Sequence, residues 1–210
     1  MQKFSMLHAQ FLIHFLRWAF ARLYREFAWS YDLVAWAVSR GLWRRWALCS
    51  LTYIQGRVLE IGPGTGYVQA ALAGDPVRST VGLEASPQMV RLTRRRLARK
   101  GAVAILIRGR AQAMPLADAS FDSVLATFPA EYILDPRTAS EIRRVLIPAG
   151  RVVIVDGAQL GSQGAERPAC EALPPHVRAL EAAGFRFSLT WEAVESSWVM
   201  VLVGALHAEP

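Results

Sequence analysis

The feature that most constrains the fold is a regular alternation of short apolar runs with helical stretches between Gly56 and Val155. Strands that are apolar on both faces and separated by helices predict a parallel sheet covered on both sides, and right-handed crossovers make it a doubly wound α/β fold. Two further strand-like runs are joined by only three residues, which predicts a hairpin and an antiparallel last strand. The seven predicted strands are 57–61, 80–83, 103–107, 121–126, 151–155, 185–194 and 198–206.

The chain divides at about residue 50 into an N-terminal helical extension, 1–50, and the sheet domain, 51–210. The extension reads as helical because apolar residues recur at steps of three and four without proline, and Gly41 is its one clear break. Within the sheet domain a helix is expected at 137–147, before the Pro-Ala-Gly stop. Residues 157–175 are rich in glycine, proline and alanine, which indicates a mobile connection.

A glycine-rich loop directly follows the first core strand, in the sequence VLEIGPGTGY at 58–67, and a helix is predicted at 68–73. Glycines allow a ligand to lie against the backbone at the carboxyl end of the strand. The spacing G-x-G-x-G, with Glu60 two residues before the first glycine, differs from the G-x-G-x-x-G of dinucleotide enzymes, and an acid there disfavours phosphate. The second strand ends in Glu84, where a carboxylate can accept both hydroxyls of a ribose. The pattern favours a nucleoside ligand.

From Gly56 to Val155 the sequence resembles the class I S-adenosylmethionine-dependent methyltransferases with a methyltransferase type 11 domain. The resemblance implies a Rossmann-like methyltransferase sheet and S-adenosyl-L-methionine as the cofactor. It also implies cofactor contacts with the methionine part at Glu60, Gly62, Gly64 and Gly66, with the ribose at Glu84, and with the adenine at Ala85 and Met89.

The segment 109–122 resembles the adenine-side segment of this family, which usually reads G-D-A-x-x-L-P-F. Arg110 stands where the aspartate is usual, so the common acceptor for the adenine amino group is missing. The backbone at Ala111 or the amide of Gln112 is the expected substitute.

The fourth strand ends in the sequence ATFPAEY at 126–132, at the edge where open α/β sheets bind ligands. Thr127 is expected to contact the cofactor. Glu131 and Tyr132, with Tyr31 of the N-terminal extension, are the candidate catalytic residues. Glu131 would hold an ammonium group or take its proton, while the rings of Phe128 and Tyr132 would face a methylated cation. The alternative is structural: the two rings pack the sheet edge and Glu131 caps a helix.

The first 50 residues carry seven basic and two acidic residues, and they contain five of the seven tryptophans. This composition is typical of a helix that meets lipid headgroups, so residues 1–25 are expected either to dock on an anionic membrane or to pack on the next domain; residues 30–50 are expected to pack. The segment around Tyr31 and Asp32 resembles the N-terminal region of quinone-biosynthesis C-methyltransferases and bacterial phospholipid N-methyltransferases. That resemblance makes Tyr31 a lid over the cofactor, and a half-buried core tyrosine is the alternative.

Charge and cysteine content exclude several other classes. The net charge of +7 includes a basic cluster at 91–100, which is expected to be a solvated helix face, with anionic lipid the next interpretation, and no aromatic groove accompanies it that would indicate nucleic acid. Two cysteines and four histidines show no metal-type spacing. The longest early uncharged stretch is 13 residues, short of the roughly 20 that span a bilayer, and no export signal is expected. The prediction is a cytoplasmic protein, peripheral at the inner membrane face.

The expected function is methyl transfer from S-adenosylmethionine to a small-molecule or lipid acceptor at a membrane surface. The ethanolamine nitrogen of a phospholipid ranks first, because the residues after the fourth strand suit a cation. C-methylation of a quinone precursor is the first alternative, and a non-catalytic membrane adaptor that binds the cofactor is the second.

Overall fold

The computed structural model describes residues 31–161, 167–168 and 173–206; the predicted docking helix at 1–25 lies outside these ranges. The helices are α1 (Tyr31–Ser39), α2 (Trp43–Leu48), α3 (Tyr67–Leu72), α4 (Pro87–Arg99), α5 (Pro136–Val145) and α6 (Val177–Ala182), with 3-10 helices at Cys49–Thr52 and Glu131–Leu134. The strands are β1 (Arg57–Ile61), β2 (Ser79–Glu84), β3 (Ile105–Arg108), β4 (Phe121–Thr127), β5 (Leu146–Leu160), β6 (Phe185–Val194) and β7 (Ser197–Leu206).

The seven strands form one sheet in the order β3-β2-β1-β4-β5-β7-β6. The first five pair in parallel, and β7 pairs antiparallel with both β5 and β6. The doubly wound sheet with an antiparallel end is therefore confirmed. The direction of winding reverses between β1 and β4, and the crevice beyond the carboxyl ends of such strands is where open α/β sheets bind ligands.

The two faces of the sheet bury separate apolar clusters, because successive side chains of a strand point to opposite faces. On β5, Val152 and Ile154 belong to one cluster, while Val153 and Val155 belong to the other. The second cluster also contains Trp46 of α2, which is 4% exposed and donates from Nε1 to Ser197 Oγ at 2.8 Å. Helix α2 is thus part of the sheet domain's core.

Helix α1 and helix α2 are separated by a turn at Gly41, whose φ is +85° and whose N–H donates to Trp36 O. The predicted break is confirmed there. The expectation that residues 30–50 pack against the sheet domain holds for α2, but α1 leaves large apolar side chains in solvent. Those side chains are Leu33, Val34, Trp36 and Val38.

Strand β5 differs most from its predicted bounds. The helix predicted to reach residue 147 ends at Val145, because Pro148 disfavours a helical conformation in the residue before it. The prediction of a mobile connection from 157 is wrong for 157–160, since Gln159 and Leu160 pair with Trp198 and Ser197 on β7. The antiparallel partner extends the strand past the end of its own apolar run.

Candidate functional site

Two adjoining cavities lie beyond the carboxyl ends of β1, β2 and β4. The loop cavity, of about 250 Å³, is lined by the glycine loop, by Trp43 and Ala47 of α2, and by residues 127–130 after β4. The outer cavity, of about 400 Å³, is lined by Leu83, the segment 109–113 and Arg137. Both cavities are lined by Gly62, Glu84, Ala85 and Tyr132. Each volume is of the order that small-molecule sites occupy, about 300–1,000 Å³.

The glycine loop is held from outside by helix α4. Thr93 Oγ1 donates to Gly64 O at 2.8 Å and Arg96 Nε donates to Thr65 O at 2.6 Å, so two successive loop carbonyls face α4. The Gly64 N–H instead donates to Glu84 Oε2 at 3.2 Å. Gly62, Gly64 and Gly66 all have positive φ, a conformation that explains the requirement for glycine.

Glu60 lies at the bottom of the loop cavity and is 1% exposed. Its Oε2 accepts a hydrogen bond from Gln69 Nε2 at 2.8 Å. Burial is the main reason that the pKa of Glu60 rises to about 7; the nearby Glu84 adds to the rise, and the Gln69 hydrogen bond opposes it. A carboxylate in this position favours a cationic ligand group, which would offset the cost of its burial.

Glu84 ends β2 between the two cavities and is 8% exposed. Its Oε1 accepts from Ser86 N at 2.8 Å, in addition to the Gly64 N–H on Oε2. Burial raises its pKa, and these backbone hydrogen bonds lower it in part. The carboxylate is therefore fixed by backbone donors while it lines both cavities.

The outer cavity contains the predicted adenine-side residues Ala111 and Gln112, and Arg110 beside them. The Gln112 side chain hydrogen-bonds Asp135, which caps α5 by accepting from Arg137 N. Met89 lies in the first turn of α4, is fully buried, and is not among the residues that line either cavity. Contact of Met89 with a ligand stays a prediction.

The aromatic wall of the loop cavity is formed by Trp43 and Phe128. Trp43 lies 4.3 Å from Phe128 between ring centroids, at an interplanar angle of 31°. Phe128 has a φ of +46°, which is unusual for a bulky residue, and its N–H donates to Val155 O. Thr127 also lines this cavity, and its contact with the cofactor stays a prediction. Sequence reasoning assigned Trp43 only to packing, because the position of α2 over the strand ends is a tertiary property.

The three predicted catalytic residues are placed differently from one another. Tyr132 lines both cavities and donates from its hydroxyl to Ile61 O at 3.0 Å. Glu131 is exposed on the 3-10 helix and lines neither cavity. Tyr31 begins α1, and its side chain is outside the described part of the chain. Of the two whose side chains are described, the structure brings Tyr132 to the cavities and leaves Glu131 outside them.

The basic cluster at 91–100 is exposed as predicted except at Arg96. Arg96 Nη2 pairs with Asp32 Oδ2 at 2.5 Å, and its guanidinium lies 3.7 Å from the centre of the Tyr67 ring. The prediction of a solvated face is therefore wrong for this residue. No sequence pattern distinguished Arg96 from the other arginines of the cluster, because its contact with the loop depends on how α4 packs. Among the described residues no group of three or more His, Cys, Asp or Glu side chains is placed to hold a metal ion.

Gly66→Ala is expected to lower the free energy of unfolding by about 2–4 kcal/mol, from positive-φ strain and overpacking together. A Cβ at Gly66 would lie 2.5 Å from Thr93 Cγ2 and 3.1 Å from Thr93 Cα, at a φ of +80°. Gly74→Ala is the matched control, because a Cβ there meets nothing within 4 Å. Denaturant unfolding of both variants tests this; equal stabilities would contradict the loop geometry.

Residues 59–154 match a family model described as a methyltransferase domain. A demethylmenaquinone methyltransferase of Thermus thermophilus is 31% identical over 140 residues, which cover 64% of this chain and 64% of that protein. A ubiquinone/menaquinone biosynthesis C-methyltransferase of Geobacter sulfurreducens is 33% identical over 144 residues, or 64% of this chain and 56% of that protein. The chain thus matches about three fifths of the length of these relatives.

Solved structures show the same fold at low sequence identity. A SAM-dependent methyltransferase from Aquifex aeolicus has a TM-score of 0.57 and 18% identity, over 75% of this chain and 88% of that one. A phosphoethanolamine N-methyltransferase from Haemonchus contortus has a TM-score of 0.60 and 15% identity, over 80% of this chain and 53% of that one. At these identities the likeness concerns the sheet and its helices.

Proposed function

We propose that this protein methylates apolar aromatic acceptors. The premise is that the central domain of this chain belongs to the class I S-adenosylmethionine-dependent methyltransferases. The single observation that carries the choice of acceptor is the aromatic wall of Trp43 and Phe128 in a cavity that also contains the cofactor loop. The relatives named for quinone biosynthesis support the same choice.

The residues of the crevice fit S-adenosylmethionine. A Cβ at Gly64 would point into open space and reach only Gly62 O, at 4.0 Å, so the loop leaves its backbone accessible. Glu60 at the base of the loop cavity would face the cationic methionine part, and Glu84, shared by both cavities, would hold the ribose. The outer cavity with Ala111 and Gln112 would take the adenine. When bound, the cofactor supplies a methyl group on a positively charged sulfur.

The loop cavity positions an acceptor more than it activates one. Its ionisable side chains are Glu60, Glu84, Tyr67 and Tyr132, and the last is engaged with the backbone of β1. Trp43 and Phe128 offer ring surface to a flat acceptor and exclude water on that side. Methyl transfer to an electron-rich ring carbon needs correct placement above all, which can contribute about 7–11 kcal/mol. The methylated ring carbon would then lose its proton to solvent water.

A phospholipid ethanolamine nitrogen is the second candidate acceptor. The same two rings could face a methylated ammonium group, a contact that contributes about 0.5–2 kcal/mol. Glu131 lies outside both cavities, so a head group in the loop cavity would be held by the rings without that carboxylate. This is why the aromatic acceptor ranks first.

Action at a membrane surface is part of the proposal, and helix α1 supports it. Leu33, Trp36 and Val38 are 62–67% exposed on this nine-residue helix, and the exposed Arg40 and Arg44 follow it. Apolar side chains beside arginines are typical of interfacial helices. In the described part of the chain no helix is long and apolar enough to cross a bilayer.

The test is a methyl-acceptor screen with labelled S-adenosylmethionine, in vesicles that contain either a demethylated quinol or phosphatidylethanolamine. Transfer to the quinol ring is expected. Transfer to phosphatidylethanolamine alone would replace the first candidate with the second, and cofactor binding without any transfer would favour the adaptor interpretation.

Trp43→Ala is expected to raise the KM for the quinol by about 10-fold, because an aromatic contact with its buried area contributes about 1–2 kcal/mol. Trp43→Phe should keep most of the affinity. Trp36→Ala is the contrasting variant, since its ring is exposed on α1: it should weaken vesicle binding and leave the KM for a short-chain soluble quinol unchanged. A KM that is unchanged in Trp43→Ala would contradict the acceptor wall.

A further inference from the structure

Arg96 joins three parts of the molecule that are distant in sequence. Its Nε donates to the carbonyl of Thr65 in the glycine loop, its Nη2 pairs with Asp32 on α1, and its guanidinium carbon lies over the Tyr67 ring at the start of α3. The side chain is 25% exposed, so water screens these contacts only in part. A planar guanidinium can make all three contacts at once, which an ammonium group cannot.

The contact with the loop determines its orientation. Because Thr93 and Arg96 donate hydrogen bonds to two successive carbonyls, Gly64 O and Thr65 O, those carbonyls point towards α4. With the loop in this orientation, Thr65 and Tyr67 line the loop cavity. Loss of the Arg96 contact would remove the donor to the Thr65 carbonyl and leave the hydrogen bond from Gly66 N–H to Pro63 O, at 2.8 Å, to hold this peptide.

The contact with Asp32 reaches the acceptor side. Asp32 lies in the first turn of α1, and α1 continues through the Gly41 turn into α2, which supplies Trp43 to the wall of the loop cavity. The Gly41 turn is closed by its N–H to Trp36 O, so α1 and α2 are connected by a defined backbone geometry. Movement of Asp32 would therefore be transmitted to the acceptor wall.

We propose that Arg96 is a positioning residue that couples the N-terminal helices to the cofactor loop, so that a bound cofactor stabilises the docked α1 and the docked α1 favours acceptor binding. The inference rests on the proposed function, in which the loop holds S-adenosylmethionine and Trp43 contacts the acceptor. Coupling of this kind is reciprocal, because each binding event favours the same arrangement of the helix and the loop.

The test compares Arg96→Gln with Arg95→Gln, a matched control in which the replaced arginine is the exposed neighbour on the same helix. Calorimetry with S-adenosylhomocysteine is expected to show about 10-fold weaker binding for Arg96→Gln and no change for Arg95→Gln, as expected for the loss of one charge-assisted hydrogen bond. Asp32→Asn keeps the loop contact. Its affinity for S-adenosylhomocysteine should stay within about 3-fold of the wild type. Its acceptor KM should rise about 5-fold at constant kcat, because the substitution removes a partly exposed ion pair.

Two further measurements separate coupling from a general loss of stability. In a double-mutant cycle, Asp32→Asn added to Arg96→Gln should not raise the acceptor KM further, because both act through one contact. Hydrogen exchange in α1 should slow when S-adenosylhomocysteine is added to the wild-type protein and to Arg95→Gln, but not when it is added to Arg96→Gln.

The outcomes distinguish this inference from the proposed function. If the wild-type protein does not bind S-adenosylhomocysteine, the proposed function is overturned. If the wild type binds it, and Arg96→Gln matches Arg95→Gln in affinity, acceptor KM and α1 exchange, the coupling is overturned and the proposed function stands. Arg96→Lys gives a separate check, because a lysine can still pair with Asp32: its acceptor KM should lie between those of the wild type and Arg96→Gln. In the double-mutant cycle, additive effects of Asp32→Asn and Arg96→Gln on the acceptor KM would contradict a shared contact.

Discussion

Glu84→Gln is expected to weaken S-adenosylhomocysteine binding by about 100-fold or more. Hydrogen bonds to a charged group contribute about 1.5–3 kcal/mol each. The substitution removes the carboxylate that would accept hydrogen bonds from two ribose hydroxyls. It also weakens the acceptor for the Gly64 and Ser86 N–H groups, which hold the loop beside β2. Isothermal titration of the purified variant measures the effect directly.

Glu181→Gln is the matched control for Glu84→Gln, because Glu181 is exposed on α6 and its carboxylate lines neither cavity. It should bind S-adenosylhomocysteine as the wild type does. Circular dichroism of Glu84→Gln should show a folded protein, since the substitution preserves side-chain volume. Wild-type affinity in a folded Glu84→Gln would contradict the assignment of the ribose to this carboxylate.

The stability of the ligand-free protein is expected to fall as the pH rises from about 4.5 to about 7. The folded-state pKa of Glu60 is raised to about 7 from 4.5, so in this window the unfolded chain has lost a proton that the folded protein keeps. The contribution of Glu60 to the free energy of unfolding is fully present below pH 4.5. It is lost as the pH rises through 7, and the loss amounts to up to about 3 kcal/mol. Denaturant unfolding at intervals between pH 4.5 and 8 measures this slope.

Glu60→Gln should reduce the slope, and Glu181→Gln should keep it. Burial also raises the pKa values of Glu84 and Asp156, which contribute in the same direction, so part of the slope should remain in Glu60→Gln. Binding of a cationic cofactor should show the opposite trend and tighten between pH 5 and 7, because it favours the ionised carboxylate. A flat profile for both properties would exclude the buried charge as a binding element.

Much of the fold could be predicted because its signals are local. The runs of β1 and β4 are mostly apolar and alternate with helical stretches, and these two signals together predict strands inside a parallel sheet. The ends of β5 could not be predicted in the same way, because residues 157–160 are held by pairing with β7, 40 residues further along the chain. The local composition predicted a mobile connection, but hydrogen bonds to a distant strand make these residues part of β5.

The residues of the site also fall into two groups, those that the sequence predicted and those that only the tertiary structure shows. Glu60 and the glycine loop are contiguous, and Glu84 follows the neighbouring strand, so their meeting at one sheet edge follows from the parallel order of β1 and β2. Trp43 and Arg96 carry no such signal. Each becomes part of the site only because α2 and α4 pack over the loop, and Glu131 is turned outward by the 3-10 helix in which it sits.

The amino-acid sequence by itself determined the doubly wound sheet, the glycine loop and its two carboxylates, because strand periodicity and loop chemistry are encoded in neighbouring residues. Only the tertiary structure decided the aromatic wall and the clamp of Arg96 on Asp32 and Thr65. Those contacts join residues 31 to 85 positions apart, and their geometry depends on how whole helices dock on the sheet.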